Sequence, residues 1–494
     1  MPKGLISGHA AVKLNLDPVI KAEQSGDLKT AVELCEQIVS THNDDAEAHN
    51  QLGTLYFKQD KFELAIQCFE RAISLRPAYP RALTNLGACH NERKRNRLAI
   101  ECYEKALSMD LKLVDAYRNM GKAWGDLDEY EMAVWCYRTA LKLRPSVDTS
   151  RALSRAYRHC GRYHRARDLL AKALIDAPDD VDLHFSMAMT EFHLGNVAEG
   201  LREYEWRFKM KDMRKHLHDL AAIFDRPVYT GQDLTDKTLL LHTEQGFGDN
   251  LQFARFVSLI RPKVKRLVMY CRPGLGRLFS RCLDIDEFSE NINKLPAFDL
   301  QLPLLSVPLH FDPHFKLLKG FSPYLSAPDD IESPIERDPS RLNVGLVWGA
   351  SDSGFDHRHK KVPLVTIDPL LHNKAVKWFS LQVGSDRKDL AIGNHAAQLI
   401  DLAPKLRSFD HTARAIEDLD LVITCDTSVA HMAGAMGKPV WVMLKKEPDW
   451  RWHADGERTE WYPSARLFRQ YSHGEWSDVI RRLIHELDNL IEAR

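Results

Sequence analysis

Small and apolar residues recur through the first half of the chain with a period of 34 residues, broken by one step of 33. The recurring small residues are Ala31, Ala65, Ala99, Ala133, Ala166 and Gly200. Within one period, Leu52 and Tyr56 lie four residues apart on one face of a predicted helix. Phe69 and Ala72 continue the stripe of Ala65 on the next predicted helix. This pattern predicts an α-solenoid of paired amphipathic helices.

The period matches the tetratricopeptide repeat, a helix-turn-helix unit used for recognition. We predict the solenoid over residues 12–208, with degenerate copies at both ends. Gln51, Asn85 and Asn119 recur at one position of the first helices. Such a ladder of side-chain amides can pair with the backbone of an extended peptide, because each amide offers a donor and an acceptor. The alternative is that asparagine is simply common at this position of the repeat.

The periodicity changes after residue 208, where short apolar runs alternate with predicted helices. The runs that predict buried parallel strands lie at 238–242, 267–271, 344–348, 377–381, 421–424 and 440–444. A polar segment at about 326–340 divides them. We therefore predict two doubly wound α/β units, one at 209–333 that includes a linker and one at 340–475, followed by a C-terminal helix at 476–494.

Ligands of doubly wound sheets bind beyond the carboxyl ends of the strands, so the loops there carry the candidate chemistry. The first loop contains Gly246 and Gly248, which let the backbone turn tightly and approach a ligand. Asp249 follows them at the start of a predicted helix. It is a candidate catalytic carboxylate, and the alternative is a helix N-cap.

Two further loops favour an anionic ligand. The second has Gly349 and Ser351 in a small-residue turn, before a cationic run that ends in Lys360 and Lys361; the alternative is a solvated loop. The third precedes a small-residue helix whose first turn can bind an anion. Its candidate residues are Asp426, Thr427, Ser428 and His431. His431 reaches the same pocket or packs as an ordinary helix histidine.

Together these loops resemble a known family. Residues 238–475 are similar to GT-B glycosyltransferases of the bacterial heptosyltransferase group, and more closely to the glycosyltransferase-like domains that follow tetratricopeptide repeats in bacterial proteins. The matching segments are 244–255, 349–351 with 360–363, 426–441, 448–452 and 461–464. The order of repeats and GT-B unit also resembles the O-linked N-acetylglucosamine transferases, in architecture alone.

The resemblance implies inverting, metal-independent transfer of a sugar from a nucleotide-diphosphate donor, with no further cofactor. The donor would lie in the second unit and the acceptor against the first. Asp249 corresponds to the family's base, Lys360 to its cation near the donor phosphates, and Asp426–Ser428 with His431 to its donor motif. Val362 stands where the heptosyltransferases usually have Trp, and Thr427-Ser428 replaces their Ser/Thr-Gly, so ADP-heptose, UDP-sugars and other donors stay open.

Composition limits the partners. The formal charge of -1 provides no global field for nucleic acid or a membrane, and nine cysteines occur singly without metal-ligand spacing. We expect no metal site, signal peptide or transmembrane span, and a cytoplasmic protein.

Two functions remain. One is an enzyme whose repeats recruit a protein or glycan-bearing acceptor; the other is a non-catalytic scaffold or nucleotide-sugar sensor with a degenerate GT-B domain.

Overall fold

The computed structural model describes residues 15–210, 223, 226–244, 246–320, 322–350, 360–392 and 397–494. The chain divides into two compact units, residues 1–178 and 179–494. The described part of the first unit is helical throughout. Its helices are α1 (Asp17–Gln24), α2 (Leu28–Thr41), α3 (Ala46–Lys58), α4 (Phe62–Leu75), α5 (Pro80–Glu92), α6 (Asn96–Met109), α7 (Val114–Asp126), α8 (Tyr130–Leu143), α9 (Val147–His159) and α10 (Tyr163–Asp176).

Glycines on the first helix of a pair make room for aromatic rings of the second. A Cβ atom built on Gly87 of α5 would come within 2.6 Å of Cε1 of Tyr103 on α6. The equivalent pairs are Gly53 with Phe69 and Gly121 with Tyr137. Only a residue without a side chain permits this approach, so the repeated glycine fixes how closely the two helices pack.

The second unit begins with two more helices, α11 (Val181–His193) and α12 (Val197–Tyr204), and a 3-10 turn at Glu205–Lys209. They contain Gly200, the last of the recurring small residues, and so correspond to the degenerate copy predicted at the end of the solenoid. They belong to the same compact unit as the sheets. Ala188 and Phe192 of α11 and Leu201 of α12 are buried in the core that also surrounds the strands.

The first sheet has four parallel strands in the order β3-β2-β1-β4. They are β1 (Thr238–His242), β2 (Arg266–Tyr270), β3 (Glu287–Ser289) and β4 (Leu300–Pro303). The helices between and after them are α13 (Phe247–Phe253), α14 (Val257–Ile260), α15 (Gly276–Cys282) and α16 (Val307–Phe311). Central β1 pairs in register with β2 on one side and β4 on the other. The loop after β1 therefore leaves from the middle of the sheet.

The second sheet has six parallel strands in the order β10-β9-β8-β5-β6-β7. They are β5 (Leu342–Val347), β6 (Val376–Ser380), β7 (Leu399–Asp401), β8 (Leu421–Cys425), β9 (Val440–Leu444) and β10 (Ala465–Arg469). Its helices are α17 (Leu364–Leu371), α18 (Phe409–Glu417), α19 (Ser428–Ala435) and α20 (Ser477–Glu492). The chain order reverses beside β5, which pairs with both β6 and β8. Such a reversal opens a crevice at the carboxyl ends of the strands.

The predicted helical solenoid and the parallel α/β region are thus both confirmed. All six predicted strands are present within two residues of their expected positions. Strands β3, β4, β7 and β10 were not predicted, because three of them have only three or four residues and β10 carries Arg466 and Arg469 among its apolar positions. The C-terminal helix is α20.

The contact between Gly87 and Tyr103 yields a stability prediction. We expect Gly87→Ala to lower the free energy of unfolding of the helical unit by about 1–3 kcal/mol, because the methyl group overpacks against a buried ring. Gly125 of α7, the next first helix, is the matched control, since a Cβ atom there meets no heavy atom within 4 Å. Gly125→Ala should stabilise by roughly 0.5–1 kcal/mol through helix propensity. Urea unfolding followed by circular dichroism measures both; equal effects would contradict the packing account.

Candidate functional site

Helices α13 and α19 meet beyond the carboxyl ends of the two sheets. Each follows a central strand, α13 after β1 and α19 after β8. Gly248 of α13 lies against His431 of α19, and a Cβ atom on Gly248 would stand 2.9 Å from Cδ2 of the imidazole. The sequence predicted that Gly248 lets the backbone approach a ligand. In the structure, Gly248 lets α13 approach α19 closely.

Five charged side chains form an ionic cluster at this junction: Asp249, Lys360, Asp426, Asp449 and Arg451. Nζ of Lys360 lies 2.7 Å from Oδ2 of Asp426. Arg451 contacts two carboxylates, with Nη2 2.7 Å from Oδ1 of Asp249 and Nη1 2.8 Å from Oδ1 of Asp449. Trp452 also donates from Nε1 to Oδ1 of Asp426 at 2.8 Å. The cluster joins groups from both sheets.

Asp249 does not cap α13, since the N-cap residue is Gly246 and Asp249 lies in the first turn. Its side chain keeps 23% of its surface exposed, whereas that of Arg451 keeps 8%. Burial raises the pKa of Asp249, and the neighbouring carboxylates Asp449 and Asp426 act in the same direction. Arg451 and Lys360 oppose the rise without cancelling it. The result is a carboxylate that is a stronger base than an ordinary aspartate.

The other carboxylates have the opposite shift. Burial, the largest influence, disfavours the charge of Asp426, but the charge and hydrogen bond of Lys360 together with His431 lower the pKa of Asp426 overall. Burial also acts on Asp449, where Arg451 and Lys360 outweigh it and lower the pKa. The pKa of Lys360 is raised, because the three carboxylates together exceed the cost of burying its ammonium group. At neutral pH Lys360, Asp426 and Asp449 therefore all carry their charges.

His431 contacts the cluster as a neutral ring. Its Nδ1 atom lies 3.1 Å from the hydroxyl oxygen of Tyr462, and the ring stacks on Trp452 with 5.2 Å between centroids. Burial is the main cause that lowers its pKa to about 4. His431 thus fits both interpretations given by the sequence, as a packed helix residue and as a wall of the site.

The predicted residues Thr427 and Ser428 lie at the start of α19. Thr427 occupies the N-cap position of α19 without a side-chain capping bond, and its hydroxyl lies 3.0 Å from that of Thr424; neither it nor Asp426 caps the helix. Ser428 is the first residue of α19. Ser351 lies outside the described residues.

The side chain of Lys361 forms ion pairs outside the ionic cluster. Its Nζ atom lies 2.5 Å from Asp386 and 2.9 Å from Asp389, so it is paired apart from the ionic cluster. Asp386 also fills the space where a Cβ atom of Gly349 would lie. The backbone N–H of Gly349 donates to Oε1 of Gln382 at 2.8 Å. This predicted phosphate-binding turn is accordingly held by side chains of its own sheet.

In the first unit, the predicted amide ladder makes contacts within the solenoid. Nε2 of Gln51 donates to Glu23 at 2.7 Å, and Nδ2 of Asn85 donates to Oδ1 of Asn50 at 3.0 Å. The backbone oxygen of Asn119 accepts from Asn91 at 3.2 Å. All three predicted residues are partly exposed. Their role in peptide binding stays a prediction.

Sequence reasoning missed Asp449 and Arg451 as site residues. The segment 448–452 was noted only for its similarity to a family. A stronger signal was available, because Asp449 and Arg451 alternate with Trp450 and Trp452, and charged side chains in such an apolar segment are costly to bury without partners. The sequence had already given Asp249 and Asp426 as candidate carboxylates that a buried cation could pair with.

None of the described helices is both long and apolar enough to cross a membrane. Across the described ranges there is also no group of three or more His, Cys, Asp or Glu side chains arranged to hold a metal ion.

The lowered pKa of His431 predicts a pH-dependent loss of stability. Since His431 takes up its proton near pH 4 when folded and near pH 6.5 when unfolded, acid favours the unfolded chain between these values. The stabilisation is complete above pH 6.5 and is lost as the pH falls towards 4. We expect the wild type to lose on the order of 2 kcal/mol more than His431→Gln between pH 7 and pH 5.

Urea unfolding at both pH values measures this difference. His485, which is exposed on α20, supplies the surface control His485→Gln. Parallel losses in the wild type and His431→Gln would contradict a neutral, buried imidazole.

Comparison with known proteins agrees with the helical unit. Models of the tetratricopeptide repeat match residues 46–79, 80–113 and 151–205. The last match includes α11 and α12, which lie in the second compact unit. The repeat sequence therefore continues into the unit that contains the sheets.

Similar proteins are known from bacteria. Protein FlbA of Caulobacter vibrioides is 25% identical over 347 residues, which cover 62% of this chain and 55% of that protein. The chain thus spans about half the length of this curated relative. Among solved structures, the thermophilic tetratricopeptide-repeat protein TTC0263 of Thermus thermophilus is 22% identical with a TM-score of 0.32, covering 35% of this chain and 96% of that one. MamA from Desulfovibrio magneticus is 18% identical with a TM-score of 0.30, covering 32% and 89%. The chain contains tetratricopeptide repeats, and an α/β region of two parallel sheets follows them.

Proposed function

We propose that the chain is a GT-B glycosyltransferase, which moves a sugar from a nucleotide-diphosphate sugar to an acceptor hydroxyl. Its repeats would recruit a protein or a glycan-bearing acceptor. The observation that carries the proposal is the ionic cluster between the carboxyl ends of β1 and β8. It brings a carboxylate of raised pKa, Asp249, into one cluster with the ammonium group of Lys360. A base and a cation are the two groups that this transfer requires.

Asp249 would act as the general base. The acceptor oxygen attacks C1 of the donor sugar, its proton passes to Asp249, and the bond between C1 and the diphosphate oxygen breaks with inversion. The raised pKa increases the affinity of Asp249 for that proton. Arg451, at 2.7 Å, holds the carboxylate in one orientation during the transfer.

Lys360 and the start of α19 would stabilise the departing diphosphate. The charge on the leaving oxygens grows as the C1–O bond breaks, and a fixed ammonium group lowers the energy of that state. The first turn of α19, beginning at Ser428, adds the positive end of a helix dipole. Asp426 now accepts from Lys360, so a diphosphate that reaches this lysine competes with Asp426.

Binding of a nucleoside diphosphate tests the donor site. We expect Lys360→Met to weaken the binding of the preferred member of a panel of UDP, ADP, GDP and dTDP by about 10-fold to 100-fold, as for loss of a charge-assisted hydrogen bond. Lys438 is the matched control, because its side chain is 24% exposed, against 22% for Lys360, and it also pairs with a carboxylate, Glu417 at 3.1 Å. Lys438→Met should leave affinity unchanged in titration calorimetry. If no diphosphate binds the wild type, the donor site is wrong.

Transfer by Asp249 is tested separately. We expect Asp249→Asn to bind the nucleotide within about threefold of the wild type and to lose roughly 10²–10⁴-fold in the rate of sugar transfer or donor hydrolysis, as for removal of a general base. Asp330→Asn, at an exposed carboxylate paired with Arg277, is the control. In the wild type, the rate should fall as the pH drops through a value above the ordinary aspartate pKa of 3.8. Nucleotide binding without any transfer or hydrolysis would favour a nucleotide-sugar sensor instead.

A further inference from the structure

We propose that the terminal helix pair, defined as α11 and α12 with the turn Glu205–Lys209, positions Asp249 and Arg451 against each other. Assigning this pair a part in catalysis rests on the proposed function. The two charged groups stand on separate segments, Asp249 on α13 after β1 and Arg451 in a 3-10 turn, Trp450–Trp452, after β9. The terminal helix pair contacts Glu244, in the loop before α13, through Arg207, and it contacts Trp450 of the turn through Phe192. These residues are buried.

Arg207 fixes the segment that leads to Asp249. Its guanidinium donates from Nε and Nη2 to the two carboxylate oxygens of Glu244, at 2.8 and 2.6 Å. The Arg207 side chain is 1% exposed and that of Glu244 is fully buried. Nη1 donates to Glu205 at 2.7 Å and Nη2 also to Ser306 at 2.8 Å. A bidentate pair of this kind fixes direction as well as distance, so it holds the backbone of Glu244 five residues before Asp249.

Phe192 supports the segment that carries Arg451. Its ring stacks on Trp450 with 4.2 Å between centroids and an angle of 16° between planes. The guanidinium of Arg451 lies over the same indole, 4.6 Å from its centroid. Gly200 permits this arrangement, since a Cβ atom there would come within 2.6 Å of Cε1 of Phe192. Gly200, the small residue at the repeated position of α12, thus leaves space for the ring of Phe192. That ring stacks on Trp450, and Trp450 in turn contacts Arg451.

Tyr204 connects the two contacts. It is 7% exposed, and its ring lies 5.9 Å from that of Phe192 and 4.6 Å from the guanidinium of Arg207. Burial chiefly raises its pKa, and the charges of Arg207, Asp249 and Arg451 also act on its hydroxyl. Tyr204 therefore joins the contact made by Phe192 to the contact made by Arg207.

Positioning at this precision matters for the rate, because a displacement of about 1 Å in a catalytic group can cost two orders of magnitude. We expect Arg207→Met to speed amide hydrogen exchange in α13 at least tenfold and to slow sugar transfer about 10-fold to 100-fold. Nucleotide affinity should stay within about threefold. Phe192→Leu should speed exchange in 450–452 and slow transfer similarly.

The matched control is Arg202→Met. Arg202 lies on α12 and pairs with Glu199 at 2.6 Å, but both side chains are more than half exposed. It should leave exchange and transfer unchanged. If Arg207→Met does not fold, Arg207→Lys replaces it, because lysine keeps the charge and loses the planar fork.

A double variant separates positioning from stability. In Arg207→Met with Glu244→Met, neither buried charge is left unpaired, so we expect the melting temperature to recover while the transfer rate does not. Recovery of both would overturn the proposal, as would wild-type exchange in α13 and 450–452 for the single variants. The exchange measurements need no substrate. They therefore test whether the terminal helix pair positions Asp249 and Arg451 even if the wild type transfers no sugar. The absence of transfer would count against the proposed function only.

Discussion

The salt bridge between Asp249 and Arg451 is the contact on which the arrangement of the site depends. One partner stands on the helix after the central strand of the four-stranded sheet, and the other on the turn after β9 of the six-stranded sheet. Arg451 is almost fully buried, and its charge is tolerated because Asp249 and Asp449 both form ion pairs with it. Moving the two segments apart would leave Arg451 with Asp449 alone and would take from Asp249 the arginine that pairs with it.

The balance of charges around this bridge also explains why neighbouring aspartates differ. Three carboxylates share two cations, and His431 contributes no charge because burial keeps it neutral at pH 7. The pKa values of Asp426 and Asp449 are lowered, because the positive charges around these two carboxylates outweigh the effect of burial. Asp249 is left with the uncompensated part of the burial cost, so its pKa rises. The excess of negative charge that keeps Lys360 protonated thus also favours Asp249 as a base.

Close packing of a glycine against an aromatic ring has different consequences in the two units. In the first unit, Gly87 on a first helix receives Tyr103 from the second helix, and the contact sets the spacing of a repeat. In the terminal helix pair, Gly200 on the second helix leaves room for Phe192 on the first. Phe192 then stacks on Trp450. The packing device of a repeat thereby becomes part of the structure that supports the ionic cluster.

The sequence by itself determined the features that depend on local pattern. The glycine and alanine period specified the helix pairs, and the apolar runs specified six strands. Loop glycines singled out Asp249, and the polar residues before a small-residue helix singled out the start of α19. Only the tertiary structure decided which charges meet. Lys360 and Lys361 are adjacent in the sequence, yet one pairs with Asp426 and the other with Asp386 and Asp389. Arg207 pairs with Glu244, and Arg451 pairs with Asp249, although both pairs are far apart in the sequence. Periodicity reports which face of an element is buried, whereas the partner of a buried charge depends on how separate elements pack, and this is why the ionic cluster became visible only in the folded chain.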